Sequence, residues 1–235
     1  MILAPVHLAG ERLMLDSAGV VAWPAERTLV VSDLHLEKGS HFAARGAFVP
    51  PYDTRETLER LHLALRRHRP ARLVLLGDSF HDTRGCERLG SAECVALNRM
   101  LHGIEVIWVL GNHDPAPPVG LPGIAMEEWR HGPLTFRHIA RPGAGGELSG
   151  HFHPKATVPT RGAHVTRPCF VADARRLLLP AFGAYTGGLD IRDPAVAGLF
   201  PRGGRVFLLG NGRLFSFPTA PARAVRVTST QPTAG

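Results

Sequence analysis

The sequence predicts an α/β protein whose first half is a parallel sheet covered by helices and whose second half is a series of short strands. Three observations carry this reading. Short apolar runs rich in β-branched residues, at 27–32, 71–77 and 104–110, alternate with stretches of helical spacing, the order that builds parallel sheets. After about Gly120 the helical spacing gives way to brief strand-like runs separated by turn residues. The chain has 235 residues, 44% hydrophobic and 20% charged, a globular composition with enough length to bury a core.

The elements follow in order. Residues 11–16 and 20–23 read as strands flanking a Ser-Ala-Gly turn, and 27–32 (RTLVVS) as the first buried strand. Asp53 or Thr54 is placed to cap a helix through about Arg67, with Leu58, Leu61 and Leu65 on one face. The run 71–77 (ARLVLLG) is a second buried strand, a helix follows from about Ser91 to Leu101, and 104–110 (IEVIWVL) is a third buried strand. Later strands are expected at 124–129, 134–139, 164–172, 176–179, 205–209 and 213–217. One domain over 1–217 is expected, followed by a disordered Pro/Thr/Ala-rich tail at 218–235.

Composition narrows the function classes. No apolar run approaches the roughly 20 residues that cross a bilayer, and the first ten residues lack the pattern of a secretory signal. Three cysteines, Cys86, Cys94 and Cys169, at uninformative spacings argue against a disulfide framework and fit a reducing cytoplasm. The formal net charge is +7, and of 27 Lys+Arg only Lys38 and Lys155 are lysines, leaving 25 arginines. A positive field attracts phosphate-bearing partners, but no basic run concentrates it, so charge alone favours arginines spread over solvated faces, with nucleic acid as the alternative.

The chemistry lies just after the buried strands, where open α/β sheets hold their ligands. The first ends in Ser32-Asp33-Leu34-His35, the second in Gly77-Asp78, and the third in Gly111-Asn112-His113-Asp114. His138 closes a later strand, and Gly150-His151-Phe152-His153 follows. In extended backbone Asp33 and His35 share a side, as do His151 and His153. Alone, each piece is weak, since Gly-Asn-His-Asp is also a good turn. Together, Asp33, His35, Asp78, Asn112, His138, His151 and His153 give two carboxylates, an amide oxygen and four imidazoles, a thiolate-free set suited to manganese, iron, cobalt or zinc.

Seven donors exceed one tetrahedral ion and suit two divalent ions about 3.5–4 Å apart, the arrangement that clamps phosphorus for in-line displacement. Asp78, ending the middle motif, is the expected bridge. His113 is expected to protonate the leaving oxygen or stabilise its charge, with Asp114 orienting its imidazole.

These blocks resemble the signature of the calcineurin-like metallophosphoesterases: D-x-H, GD, GNH[DE], a lone His and GHxH, here Asp33–His35, Gly77-Asp78, Gly111–Asp114, His138 and Gly150–His153 in the same order. The resemblance implies a single-domain, four-layer α/β/β/α sandwich. It implies one metal on Asp33, His35, Asp78 and His153, a second on Asp78, Asn112, His138 and His151, and His113 over the leaving group. The flanks, Ser32–Ser40, Gly150–Pro154 and Pro180–Leu189, are similar to PdeM-type bacterial enzymes, which accompany a DNA ligase, an exonuclease and an Lhr-type helicase in DNA-repair gene clusters. That likeness implies a manganese-dependent endonuclease acting on single-stranded DNA. Those enzymes often follow the lone His with Glu-Pro, whereas His138 here precedes Ile139-Ala140.

A protein Ser/Thr phosphatase fits poorly, because Gly77-Asp78-Ser79-Phe80-His81-Asp82 lacks the GDxxDRG pattern. Hydrolysis of cyclic nucleotides or nucleoside polyphosphates is the alternative reaction. A non-enzymatic scaffold is disfavoured by the full donor set and His113. Lys38, Arg84, Arg141, Lys155 and Arg161 are candidates for DNA phosphates, and Phe80 and Phe152 for stacking on bases; solvated charges and core aromatics explain each equally well. His81 and Asp82 are candidates to orient metal-bound histidines. The other histidines, including His41, read as structural or surface residues; the glycine run at 180–189 could cradle phosphate, but with no helix following it a packing or turn role is favoured.

Overall fold

The computed structural model describes residues 2–47 and 52–219. Two mixed sheets face each other. The first contains β1 (Leu3–Leu8), β2 (Glu11–Asp16), β3 (Val21–Trp23), β4 (Thr28–Ser32), β5 (Arg72–Leu76), β6 (Glu105–Val109) and β7 (Ile124–Met126), side by side in chain order. Strands β1 to β4 form an antiparallel meander, whereas β4 to β7 run parallel. The second sheet holds β8 (Glu128–His131), β9 (Leu134–Arg137), β10 (Glu147–Ser149), β12 (Ala163–Ala172), β13 (Arg176–Leu178), β14 (Arg205–Leu209) and β15 (Leu214–Pro218). Its order is β15-β14-β12-β13-β10-β9-β8, and β11 (Lys155–Thr160) hangs on β12.

The continuous apolar runs of β4, β5 and β6 are explained by burial on both faces. Val30, Val74, Leu76, Ile107 and Val109 point between the sheets, against Leu134, Phe136, Leu148, Phe170 and Leu177. Leu29, Val31, Leu73, Leu75, Val106 and Trp108 point outward, under the helices α2 (Asp53–His68) and α4 (Ser91–Leu101). Full burial of each such side chain contributes about 1.5–3 kcal/mol. Leu58, Leu61 and Leu65 form the buried face of α2, as their spacing predicts. Two further short helices, α1 (Lys38–Ala43) and α3 (Gly85–Arg88), lie near the ends of β4 and β5. The outer layer of the second sheet is thin, consisting of the single turn α5 (Pro194–Ala197) with Phe200 and β11.

Several elements differ from expectation. The run 124–129 is not one strand: β7 ends at Met126, and β8 begins at Glu128 in the other sheet. Strand β1 escapes a pattern reading because Pro5 interrupts it, and Pro5 is tolerated because β1 is an edge strand. Pro159 likewise masks β11, and β10 is only three residues long. Asp53 does not cap α2; its Oδ2 accepts from Gly39 N at 3.0 Å and ties α1 to α2. The last strand includes Pro218, and Thr219 N donates to Gly204 O at 2.8 Å; the remainder of the expected tail, 220–235, lies outside the described residues. No helix among the described residues is long and apolar enough to cross a membrane.

The topology fixes where chemistry can occur. Parallel pairing sends β4, β5 and β6 to the same edge of the first sheet, and β9, β10 and β13 run parallel in the second. The loops after these strands carry Asp33, Asp78, Asn112, His138 and His151.

Candidate metal centre

Two groups of donors meet there. Asp33, His35 and His153 each offer an atom within 4.8 Å of the others, and Asp78, His138 and His151 do the same. In the first group His35 Nε2 lies 3.2 Å from His153 Nε2, and His153 Nε2 lies 3.2 Å from Asp33 Oδ1. In the second, His138 Nε2 lies 3.3 Å from Asp78 Oδ2, 3.2 Å from His151 Nδ1 and 2.9 Å from Asn112 Oδ1. Asp78 Oδ2 also faces the first group, 3.8 Å from His35 Nε2. All seven expected donors therefore gather at one place, with Asp78 between the two halves.

The residues fit two divalent ions. Metal–ligand bonds of about 2.0–2.2 Å set donors roughly 3 Å apart around one ion, the spacing found within each group. Asp33, His35 and His153, with Asp78, would hold one ion; Asp78, Asn112, His138 and His151 would hold the other. The donors are oxygen and imidazole nitrogen without thiolate.

The route to this convergence is not the pleat of an extended strand. Asp33, His35, Asp78, His151 and His153 all have left-handed backbone, with φ of 53°, 46°, 44°, 72° and 45°. Such values are uncommon outside glycine, and clusters of them mark functional loops held by their surroundings. Here the surroundings are visible. Asp33 N donates to Gly77 O at 3.2 Å and His35 N to Asp78 O at 2.9 Å, stitching the ends of β4 and β5 together. His151 N donates to both oxygens of Asp33, at 3.2 and 3.1 Å, and Ser32 Oγ donates to Asp33 Oδ2. Gly77 and Gly150 admit no side chain: a Cβ would fall 2.1 Å from His138 Nδ1 at the first and 1.9 Å from Ser32 Oγ at the second.

Electrostatics keep Asp78, Asp33 and His35 in metal-binding form, whereas Asp78 and Asp33 outweigh burial and raise the His138 imidazole, so that an ion there displaces a proton. Burial alone would raise the Asp78 carboxyl, but His138, the His113 N–H and His35 outweigh it and bring it to about 2. Burial likewise opposes ionisation of Asp33, and His153, His138 and Ser32 hold it below the usual carboxylate range. Burial drives the His35 imidazole down to about 3, so it is neutral, as ligation requires.

His113 stands beside the donors. Its side chain is 41% exposed, its Nε2 lies 3.9 Å from Asp78 Oδ2, and its backbone N donates to Asp78 Oδ1 at 2.9 Å. Asp114 does not orient it, contrary to the sequence expectation. Asp114 Oδ2 accepts from Ser79 N at 2.7 Å and Phe80 N at 3.1 Å, and Oδ1 accepts from Gly111 N at 3.1 Å. The Asp114 carboxylate is thus spent tying the loop after β6 to the loop after β5. Burial and the neighbouring Asp78 charge raise it to about 6 despite those N–H groups. The His113 ring is oriented by a backbone carbonyl, that of His81, 2.9 Å from Nδ1.

The secondary candidates separate. His81 lies against the centre, its Nδ1 3.3 Å from His35 Nδ1 and its ring stacked on His113. Asp82 reaches no donor histidine; it pairs with His41 and accepts from Arg88 at 3.0 and 2.8 Å. His41, read from the sequence as structural, packs edge-on to His81 at 4.7 Å between centroids, a long-range contact with no local signal. Phe80 is buried at 2% exposure and belongs to the core under α2 and α4, so it is unavailable to a base. Phe152 packs edge-to-face on His151. Arg84 pairs with Glu87 and Arg141 with Glu128, while Arg161 is exposed in the β11–β12 turn. Cys86, Cys94 and Cys169 are free thiols.

The sequence model of calcineurin-like phosphoesterases matches residues 26–164, more than half of the chain. The chain belongs to this family. Like other calcineurin-like phosphoesterases it is a metal-dependent hydrolase of phosphoesters; the family depends on a binuclear centre, and the two donor groups are where this chain could hold the ions. Among solved structures, Pseudomonas putida nuclease MPE is similar at 31% identity, with a TM-score of 0.71, covering 92% of this phosphoesterase and 100% of that chain. Yfce, a phosphoesterase from E. coli, is similar at 14% identity with a TM-score of 0.40, over 82% and 98% of the two chains. A search of curated proteins finds no match.

Proposed function

We propose that this phosphoesterase is a manganese-dependent endonuclease that cleaves single-stranded DNA. The observation that carries the polymer is the likeness to a nuclease over 92% of the chain at 31% identity. The net charge of +7 favours the same substrate class. The oxygen- and imidazole-rich donors suit manganese, with iron, cobalt or zinc as the other ions such a set accepts.

When bound, the ions supply a nucleophile at neutral pH and charge stabilisation at phosphorus. The chain's own residues do the rest. His113 acts as the imidazolium: with Nδ1–H committed to the His81 carbonyl, it presents Nε2–H to the leaving oxygen, gives that proton up there and is left as the neutral Nδ1–H ring. Asp114 holds the loops after β5 and β6 together, so that Asp78 and His113 keep their spacing. The similarity of the flanks to repair-cluster enzymes supports a role in cytoplasmic DNA repair, in functional association with a DNA ligase, an exonuclease and an Lhr-type helicase.

Incubation with manganese, zinc, iron or cobalt, and separately with single-stranded DNA, duplex DNA, cyclic dinucleotides and a phosphomonoester, tests this reading. Internal cleavage of single-stranded DNA, fastest with manganese, is expected. Cleavage of the small substrates alone would replace the nuclease with a small-molecule phosphodiesterase.

A further inference from the structure

The only two lysines of the chain meet at one loop. Lys38 Nζ donates to the carbonyl of Tyr185 at 2.9 Å, and Lys155 Nζ donates to the carbonyl of Thr186 at 3.1 Å. Both are close in sequence to metal donors, Lys38 to His35 and Lys155 to His153. Among the described residues, neither ammonium lies within 4.0 Å of a carboxylate, although Arg84 and Arg141 do pair with acids. Each ammonium has three donors and uses one on the loop, leaving two. Lys155 repels Lys38, while Asp53 attracts it, and an anion received by both ammoniums relieves that repulsion.

The loop they hold is docked onto the metal centre. Gly183 N donates to Asp33 O at 3.0 Å, and Ala184 N donates to Thr57 Oγ1 at 3.0 Å. A Cβ on Gly183 would stand 2.0 Å from Leu34 O, and one on Gly188 would stand 2.1 Å from His153 O. The loop is therefore clamped at one end to the Asp33 segment and at the other to His153. Between the clamps is Tyr185, left-handed at φ 56° and 52% exposed. A large aromatic side chain in an unfavoured backbone conformation, exposed beside a metal centre, needs a reason.

We propose that Lys38, Lys155 and Tyr185 form a subsite for the nucleotide next to the scissile bond: the two ammoniums take its phosphate and the Tyr185 ring stacks on its unpaired base. The subsite rests on the nuclease reading above and deepens it, because it selects a strand with accessible bases over a bare phosphodiester. Base–aromatic stacking tolerates any base, and phosphate contacts carry no sequence information, so the subsite makes the enzyme strand-selective and sequence-tolerant. The three rotatable donors of each ammonium allow it to hold the loop carbonyl and a phosphate oxygen at once.

The test compares a single-stranded oligonucleotide with a strand of equal length built of tetrahydrofuran abasic units. It uses the wild type, Tyr185→Ala, Tyr185→Phe and Lys155→Gln, with manganese, and records metal content for each protein. The ratio of kcat/KM on the base-bearing strand to that on the abasic strand should fall roughly 5- to 100-fold in Tyr185→Ala and be kept in Tyr185→Phe. Lys155→Gln should reduce the slope of log affinity against log salt by about 0.7 for the base-bearing strand. An unchanged ratio in Tyr185→Ala, or an unchanged slope in Lys155→Gln, overturns the subsite while DNA cleavage by the wild type leaves the nuclease reading intact. Absence of cleavage of both strands by the wild type, with small phosphodiesters hydrolysed, overturns the nuclease reading itself. If Tyr185→Ala does not fold, a loss of base preference in Tyr185→Phe counts against the subsite, and the salt slope of Lys155→Gln decides independently.

Discussion

The Nδ1–H of His113 is donated to the carbonyl oxygen of His81 at 2.9 Å, which leaves Nε2 as the nitrogen facing Asp78. A backbone acceptor cannot swing away, so the tautomer of the proton-bearing ring is set by the fold. His113→Ala is expected to lower kcat by about 10²–10⁴-fold while metal content stays at the wild-type level. Loss of bound metal in this variant would instead make His113 a ligand.

Asp78 faces both donor groups, 3.3 Å from His138 Nε2 and 3.8 Å from His35 Nε2. Asp78→Ala is expected to abolish phosphodiester hydrolysis even with excess manganese, and to reduce bound metal at both positions. Turnover together with metal stoichiometry checks this; retention of activity would sink the two-metal centre.

The three N–H groups gathered by Asp114 make it an anchor of the site loops. Asp114→Ala is expected to lower melting temperature and metal occupancy together, because buried N–H groups left without an acceptor cost about 1–3 kcal/mol each. A variant with normal metal content and slowed turnover alone would return Asp114 to the orienting role its place after His113 suggests.

Gly183 and Gly187 sit in the same loop but differ in space. Gly183→Ala would press a methyl 2.0 Å from the Leu34 carbonyl, whereas nothing lies within 4 Å of the corresponding position at Gly187. Gly183→Ala should destabilise by about 1–3 kcal/mol and weaken metal binding, and Gly187→Ala should be tolerated. Thermal melting and metal titration of the pair decide; equal behaviour would contradict the docking of this loop.

Acid sensitivity should trace in part to Asp16. It is fully buried and accepts from Ala18 N at 2.9 Å, from Arg67 NH1 at 3.1 Å and from His68 Nε2 at 2.8 Å. Burial opposes its charge, but these partners outweigh it and hold the carboxyl below 3.8. The unfolded chain therefore binds the proton first as pH falls. The stabilisation is complete above about pH 4 and is lost as pH drops through the folded value. Asp16→Asn should lose about 2–3 kcal/mol at pH 7, and urea unfolding should show that difference shrinking below pH 3.

The site was legible in the sequence to the extent that it depends on strand ends. The runs before Asp33, Asp78 and Asn112 are apolar on both faces and carry no strand period, but they are too short for helices and end in turn residues, which marks where they stop. Convergence of His138, His151 and His153 on them was legible only through the order of the blocks, because the facing of two sheets leaves no local trace. The same holds for the split at Glu127, where one β-rich run serves two sheets. The left-handed turns at five donors were hidden as well: a pattern of alternating Asp and His reads as extended, and only the hydrogen bonds to Gly77 and Asp78 show otherwise. Asp114 misled for a related reason, since its partners are backbone N–H groups of a loop 34 and 35 residues away.

Each donor group draws on both sheets: Asp33 and His35 from the first with His153 from the second, and Asp78 from the first with His138 and His151 from the second. Ions bound there act as rivets through the sandwich, and occupancy and cohesion become a single equilibrium. Ligation stabilises the folded chain by RT ln(1 + [M]/Kd), so a chelator is also a denaturant for this protein. By the same linkage, a cavity cut between the sheets at Phe136 or Phe170 would present at the bench as metal deficiency.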